Sequence, residues 1–124
     1  MDSEDRLTLA TCFIDMRFSP GEAEHAVRLL LSVKGSIQAK HGCHACMIGL
    51  EAADASLIHY HEEWESGEDF YQHIHSDEFQ RVLIAMDLCI EEPRIVFGNF
   101  SGHCGMASLR KLREREIAIP IATE

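Results

Sequence analysis

Three observations predict an α+β domain of order β-α-β-β-α-β. Runs rich in β-branched and aromatic residues recur along the chain as strand-like stretches. Between them, apolar residues recur at steps of three and four, which is the helix period. Serines with an acid within the next three residues, Ser19 with Glu22, Ser66 with Asp69 and Ser76 with Asp77 and Glu78, mark the helix starts.

The first strand is read over Leu7 to Phe18. Ser19-Pro20-Gly21-Glu22 follows as a capping box, with Ser19 at the N-cap and Pro20 at the first helical position. Ala23, Ala26, Val27, Leu30, Val33 and Ile37 then form one apolar stripe, so a helix is expected from about 20 to 40, ending near His41-Gly42. Cys43 to Glu51 and Ser56 to Trp64 read as two strands of an antiparallel hairpin turning at Ala53-Asp54. Ser66 with Asp69 opens a second helix from 67 to about 75, and Ser76-Asp77-Glu78 opens a third from 77 to about 88. Pro93 blocks further helix, and Arg94 to Phe100 is the last strand.

That order is the ferredoxin-like split βαβ arrangement, a four-stranded antiparallel sheet with helices on one face. The other sheet face is left bare, and a second subunit is the simplest cover, so a homodimer is expected. Residues 1–102 make this domain. Residues 103–124 are read as a tail, with an amphipathic helix over Ser108 to Glu116 and an extended arm from Ile117 to Ile121.

Charge narrows the partners. Eleven basic residues against 21 acidic ones give −10. Such a field repels phosphate backbones and anionic lipid, so neither nucleic acid nor a membrane surface is an expected partner. No apolar run approaches the roughly 20 residues of a membrane helix, and the acidic start is unlike a secretory signal. Five cysteines, an odd number, read as reduced thiols of a cytoplasmic protein.

Eight histidines call for an inventory. His59 and His61, two apart on a strand, point to one face with Glu63, which opens the alternative of a metal site. A polar row at a dimer interface is the plainer explanation. Cys43-x-x-Cys46 enters a strand and not a helix, so small buried side chains are expected there and not a redox pair. Tyr60 and Trp64 share a strand face, and His73 lies on the following helix. Phosphate loops, nucleophile elbows and dinucleotide fingerprints are missing from the sequence.

The segment Glu62-Glu63-Trp64-Glu65-Ser66-x-Glu68-Asp69-(x3)-His73-x-x-Ser76-Asp77-x-Phe79 resembles the antibiotic-biosynthesis monooxygenase family of the dimeric α/β-barrel superfamily. Gly42-Cys43-(x2)-Cys46 and Glu92-Pro93-(x3)-Phe97 are similar to a bacterial branch labelled quinol monooxygenases, and the likeness spans about residues 7 to 105. The resemblance implies a dimer that oxidises a quinol or phenolic aromatic with O₂, without metal or flavin. On it, Tyr60, Trp64 and Phe79 hold the aromatic substrate and His73 is the base. Two positions depart from better-understood branches. Tyr60 stands where polyketide-oxidising members have asparagine, and Leu83 where haem-degrading members have the haem-ligating histidine. The competing expectation is a non-catalytic dimeric ligand-binding or stress-response module whose pocket is filled by its own core.

Overall fold

The computed structural model describes residues 6–114. The strands are β1 (Arg6–Arg17), β2 (Cys43–Glu51), β3 (Asp54–Trp64) and β4 (Arg94–His103), and the helices are α1 (Glu22–Gln38), α2 (Gly67–Ile74), α3 (Asp77–Asp87) and α4 (Met106–Glu114). The sheet has the order β2-β3-β1-β4. β3 runs antiparallel to both neighbours, with Tyr60 opposite Ile14 on β1 and Ile48 on β2. The ferredoxin-like α+β fold is therefore present.

Leu9–Phe100 form one compact unit. Its core is made by strand alternation. Ala10, Cys12, Ile14 and Met16 of β1 point the same way as Ile58, Tyr60 and Trp64 of β3, and all are buried. Against them lie Ala26, Leu30, Val33 and Ile37 of α1 with Phe79, Val82 and Ala85 of α3. Burial of each large aliphatic stabilises the fold by about 1.5–3 kcal/mol. The opposite face carries Thr11, Phe13 and Asp15 beside His59, His61 and Glu63, and Phe13 and Met47 are about half exposed there.

Ser66 and Ser76 cap their helices as expected, accepting from the backbone N–H of Asp69 and of Phe79. The start of α1 needs a correction. Gly21 stands at the N-cap with φ 93° and no side-chain cap, and Glu22 N–H donates to the Ser19 carbonyl at 3.0 Å. Pro20-Gly21 thus makes a tight turn, with glycine supplying the positive φ, and the helix begins two residues later than the capping box implies. β3 also starts earlier, at Asp54, whose carboxylate accepts from Ser56 N–H and Oγ at 3.0 and 2.6 Å and shapes the turn. β4 continues past Phe100 to His103.

The second unit, among the described residues, comprises 6–8 and 101–114. There α4 begins two residues before the expected tail helix, after Gly105 at φ 94°, and buries none of its residues. Arg115, Glu116 and the Ile117–Ile121 arm lie outside the described residues.

Candidate functional site

A charged side chain on the core face of β3 organises this region. Alternation turns Tyr60, Glu62 and Trp64 together toward the helices, and Glu62 is fully buried. Its carboxylate is satisfied by three donors. Trp64 Nε1–H donates to Oε1 at 2.8 Å, while the Tyr60 hydroxyl and His73 Nε2 both meet Oε2, the histidine at 2.9 Å. Three donors satisfy this buried carboxylate, whereas an unpartnered one would be costly.

His73 arrives from α2 and is itself buried. Lys40, in the turn after α1, places Nζ 3.1 Å from His73 Nδ1 and 3.0 Å from a Glu78 carboxylate oxygen. An ammonium only donates, so His73 Nδ1 accepts and Nε2 carries the proton given to Glu62. The histidine is thus held as one tautomer, its lone pair turned to Lys40.

Burial and the Glu62 charge push the Tyr60 phenol far up, so it stays protonated. Burial likewise pushes the Cys12 thiol up to about 12 and the Cys46 thiol up to about 11, and raises Cys43. The Cys43-x-x-Cys46 thiols are therefore inert.

Beside this network opens a cavity of about 300 Å³ lined by Lys40, His41, Trp64, Asp69, Gln72 and His73. Trp64 and His73 lie with ring centroids 4.6 Å apart, and Phe79 meets the histidine edge-on at 5.3 Å. Tyr60 and Phe79 are buried and do not line the cavity. A larger cleft of about 570 Å³ lies by Pro20, Val27 and Leu50. Its ionisable side chains are Glu24 and Asp54, and Asp54 is already bound to Arg17 at 2.6 Å. The smaller cavity is the one with chemistry at its wall.

The structure separates His59 from His61. His59 lies between two carboxylates, with Nδ1 2.8 Å from Asp15 and Nε2 2.7 Å from Glu51. Both nitrogens must donate to satisfy both, so the ring carries two protons and has no lone pair for a metal. His61 Nε2 bonds Glu63 at 2.8 Å, and its Nδ1 is buried without a partner among the described residues. The pair therefore does not converge on one ion. The Asp15 and Glu51 hydrogen bonds raise the His59 pKa above 6.5. A raised folded value means this group's contribution to stability is complete below about 6.5 and lost as pH rises through the folded value. A side-chain NMR titration should give His59 a midpoint above the ordinary histidine range. A midpoint at or below it would break the assignment of this ion triplet.

Residues 10–83 match the family model described as antibiotic biosynthesis monooxygenase. That stretch is more than half of the chain and holds Tyr60, Glu62, Trp64, His73 and Phe79. The chain belongs to the antibiotic biosynthesis monooxygenase family. Among solved structures, it is similar to a conserved protein of Methanosarcina mazei Go1 at 18% identity and TM-score 0.69, covering 74% of this chain and 92% of that one. It is similar to a Shewanella oneidensis protein at 15% identity and TM-score 0.68, covering 78% and 98%. It also resembles a structure titled antibiotic biosynthesis monooxygenase, at 13% identity and TM-score 0.65, covering 72% and 95%. At these identities the structures speak for the fold alone. No curated protein matches the chain.

In this family member the groups that sequence reasoning missed are Glu62 and Lys40. Glu62 was visible as a charge in the Tyr60/Trp64 row, at a position that alternation turns into the core. Lys40 carried no comparable signal, because its partners His73 and Glu78 are distant in sequence.

Proposed function

We propose that this chain is a cofactor-free monooxygenase of a quinol or phenolic aromatic, working with O₂ as a cytoplasmic homodimer. One observation carries the reading. The His73 Nδ1 lone pair and the Lys40 ammonium stand together at the wall of a cavity that Trp64 also lines, while a buried carboxylate anchors the far side of the imidazole.

The chemistry asks little of the protein. A substrate hydroxyl that displaces Lys40 Nζ from His73 Nδ1 gives its proton to that atom, and Glu62 stabilises the imidazolium formed. Lys40 Nζ then faces the phenolate oxygen. The electron-rich ring passes one electron to O₂, and the ring radical and superoxide recombine into a carbon–oxygen bond. The imidazolium returns its proton to the peroxide so formed, and loss of water together with the ring hydrogen leaves a quinone, so one oxygen atom enters the product and the other departs in water. Trp64 packs against the ring, with Tyr60 and Phe79 supporting the tryptophan and histidine from behind.

An oxygen electrode with a hydroquinone tests this. Uptake by the wild-type protein should exceed the uncatalysed autoxidation rate, and uptake equal to that rate would overturn the reading. The tight burial of Trp64, whose N–H is taken by Glu62, favours a ligand-binding module as the second reading. Stabilisation by a naphthol in a thermal-shift assay without oxygen uptake would select it.

The dimer rests on unsatisfied apolar surface. Phe13 and Met47 on the bare sheet face, and Ile95, Val96, Phe97 and Phe100 on β4, are all exposed in the single chain. No described helix is long and apolar enough to cross a membrane, so lipid is not an expected cover through such a span. Light scattering at micromolar concentration should give twice the 14.0 kDa chain mass. A monomer peak would remove the second subunit from the proposal.

A further inference from the structure

We propose that His41, Glu65 and Asp69 bind one divalent first-row transition-metal ion at the rim of the cavity. This site does not depend on the oxygenase reading.

The three residues come from separate places. His41 lies in the turn after α1, Glu65 at the end of β3, and Asp69 in the first turn of α2. Each offers one ligand atom, and the three atoms lie within 4.8 Å of one another. Local structure brings them together. Glu65 N–H donates to the Gly42 carbonyl at 2.7 Å, which ties the His41-Gly42 turn to the strand end. Gly42 has φ 84°, and a Cβ there would stand 2.5 Å from the Asp69 Cγ. Only glycine admits that carboxylate so close. Ser66 Oγ donates to Asp69 Oδ2 at 3.0 Å and orients it.

Electrostatics favour a cation in this place. Among the described residues, neither Glu65 nor Asp69 has a basic side chain within ion-pair distance. Lys40, the basic residue of the cavity wall, is engaged by Glu78 and His73. Two carboxylates thus converge without a basic side-chain partner among the described residues, in a chain of net charge −10. Like charges at this range repel, and a divalent ion removes the repulsion while gaining both ligands.

The donor set defines the ion. One imidazole nitrogen with two carboxylate oxygens suits Zn²⁺ or Mn²⁺. Bonds of about 2.0–2.2 Å bring neighbouring donors to roughly 3–3.5 Å, so the side chains must close by about an ångström. His41 and Glu65 are exposed and have that freedom. Three protein ligands leave a coordination position open, and His41 and Asp69 both line the cavity, so the open position has room there for water or a ligand oxygen.

Calorimetric titration of the full chain with ZnCl₂ and with MnCl₂, in metal-free buffer, tests the site without any substrate. The expected result is saturable binding of one ion per chain. His41→Ala and Glu65→Gln, both at exposed positions and checked for fold by circular dichroism, should each weaken binding by about tenfold or more. His59→Gln and His61→Gln, on the other sheet face, should leave it unchanged. Binding that survives both His41→Ala and Glu65→Gln, or that falls with the His59 and His61 variants instead, would overturn the assignment. So would the lack of saturable binding by the wild-type protein.

Discussion

Replacing Glu62 with alanine should destabilise the fold by about 3–5 kcal/mol. Glu62 is fully buried and accepts from three donors. Alanine leaves the Trp64 N–H and His73 N–H without an acceptor, each worth about 1–3 kcal/mol when orphaned in the interior, and leaves the Tyr60 hydroxyl only the weak acceptor Cys46 Sγ at 3.5 Å. Partial relaxation and water entry from the adjoining cavity keep the sum below the simple total. Glu62→Gln preserves shape but turns an NH₂ toward one of the donors, so it should cost about 1–3 kcal/mol. Urea unfolding at one fixed protein concentration measures both, since the apparent stability of any chain that self-associates depends on concentration. A loss under about 1 kcal/mol for Glu62→Ala would mean that the carboxylate does not hold the three donors in solution.

How far the sequence reveals this protein depends on the range of each interaction. Ser66 and Ser76 locate α2 and α3 because a cap is written within four residues. Ser19-Pro20-Gly21-Glu22 is compatible with two local structures, a capping box and a Pro-Gly turn, and the positive φ of Gly21 selects the turn. The apolar run Ile95-Val96-Phe97 reads correctly as strand, yet all three residues are exposed in the single chain. Hydropathy marks a surface to be covered without saying by which chain. The site was legible in part. Trp64 and His73 are neighbours, as the motif spacing implies, but the Glu62 carboxylate between them and the Lys40 ammonium behind them come from contacts 11 and 33 residues apart. No periodicity encodes such pairs. The same limit applies to His59 and His61, whose shared strand face suggested one metal and whose actual partners, Asp15 and Glu63, lie on different strands.

His73→Ala should lower hydroquinone-dependent oxygen uptake by about 10²-fold or more if the imidazole is the base. Its Nε2 is committed to Glu62, so Nδ1 is the only lone pair that can receive a substrate proton, and that atom meets Lys40 at the cavity wall. Losing the ring also removes a buried partner of Glu62, so a fall in activity could come from unfolding alone. The measurement is therefore made at a temperature where circular dichroism shows the variant folded, with Lys40→Met as a second probe. Lys40→Met keeps the base and removes an ammonium that faces the phenolate only once the proton has moved, so it should lower kcat and kcat/KM together with little change in KM. Oxygen uptake that persists undiminished in the folded His73→Ala variant would exclude the histidine as base.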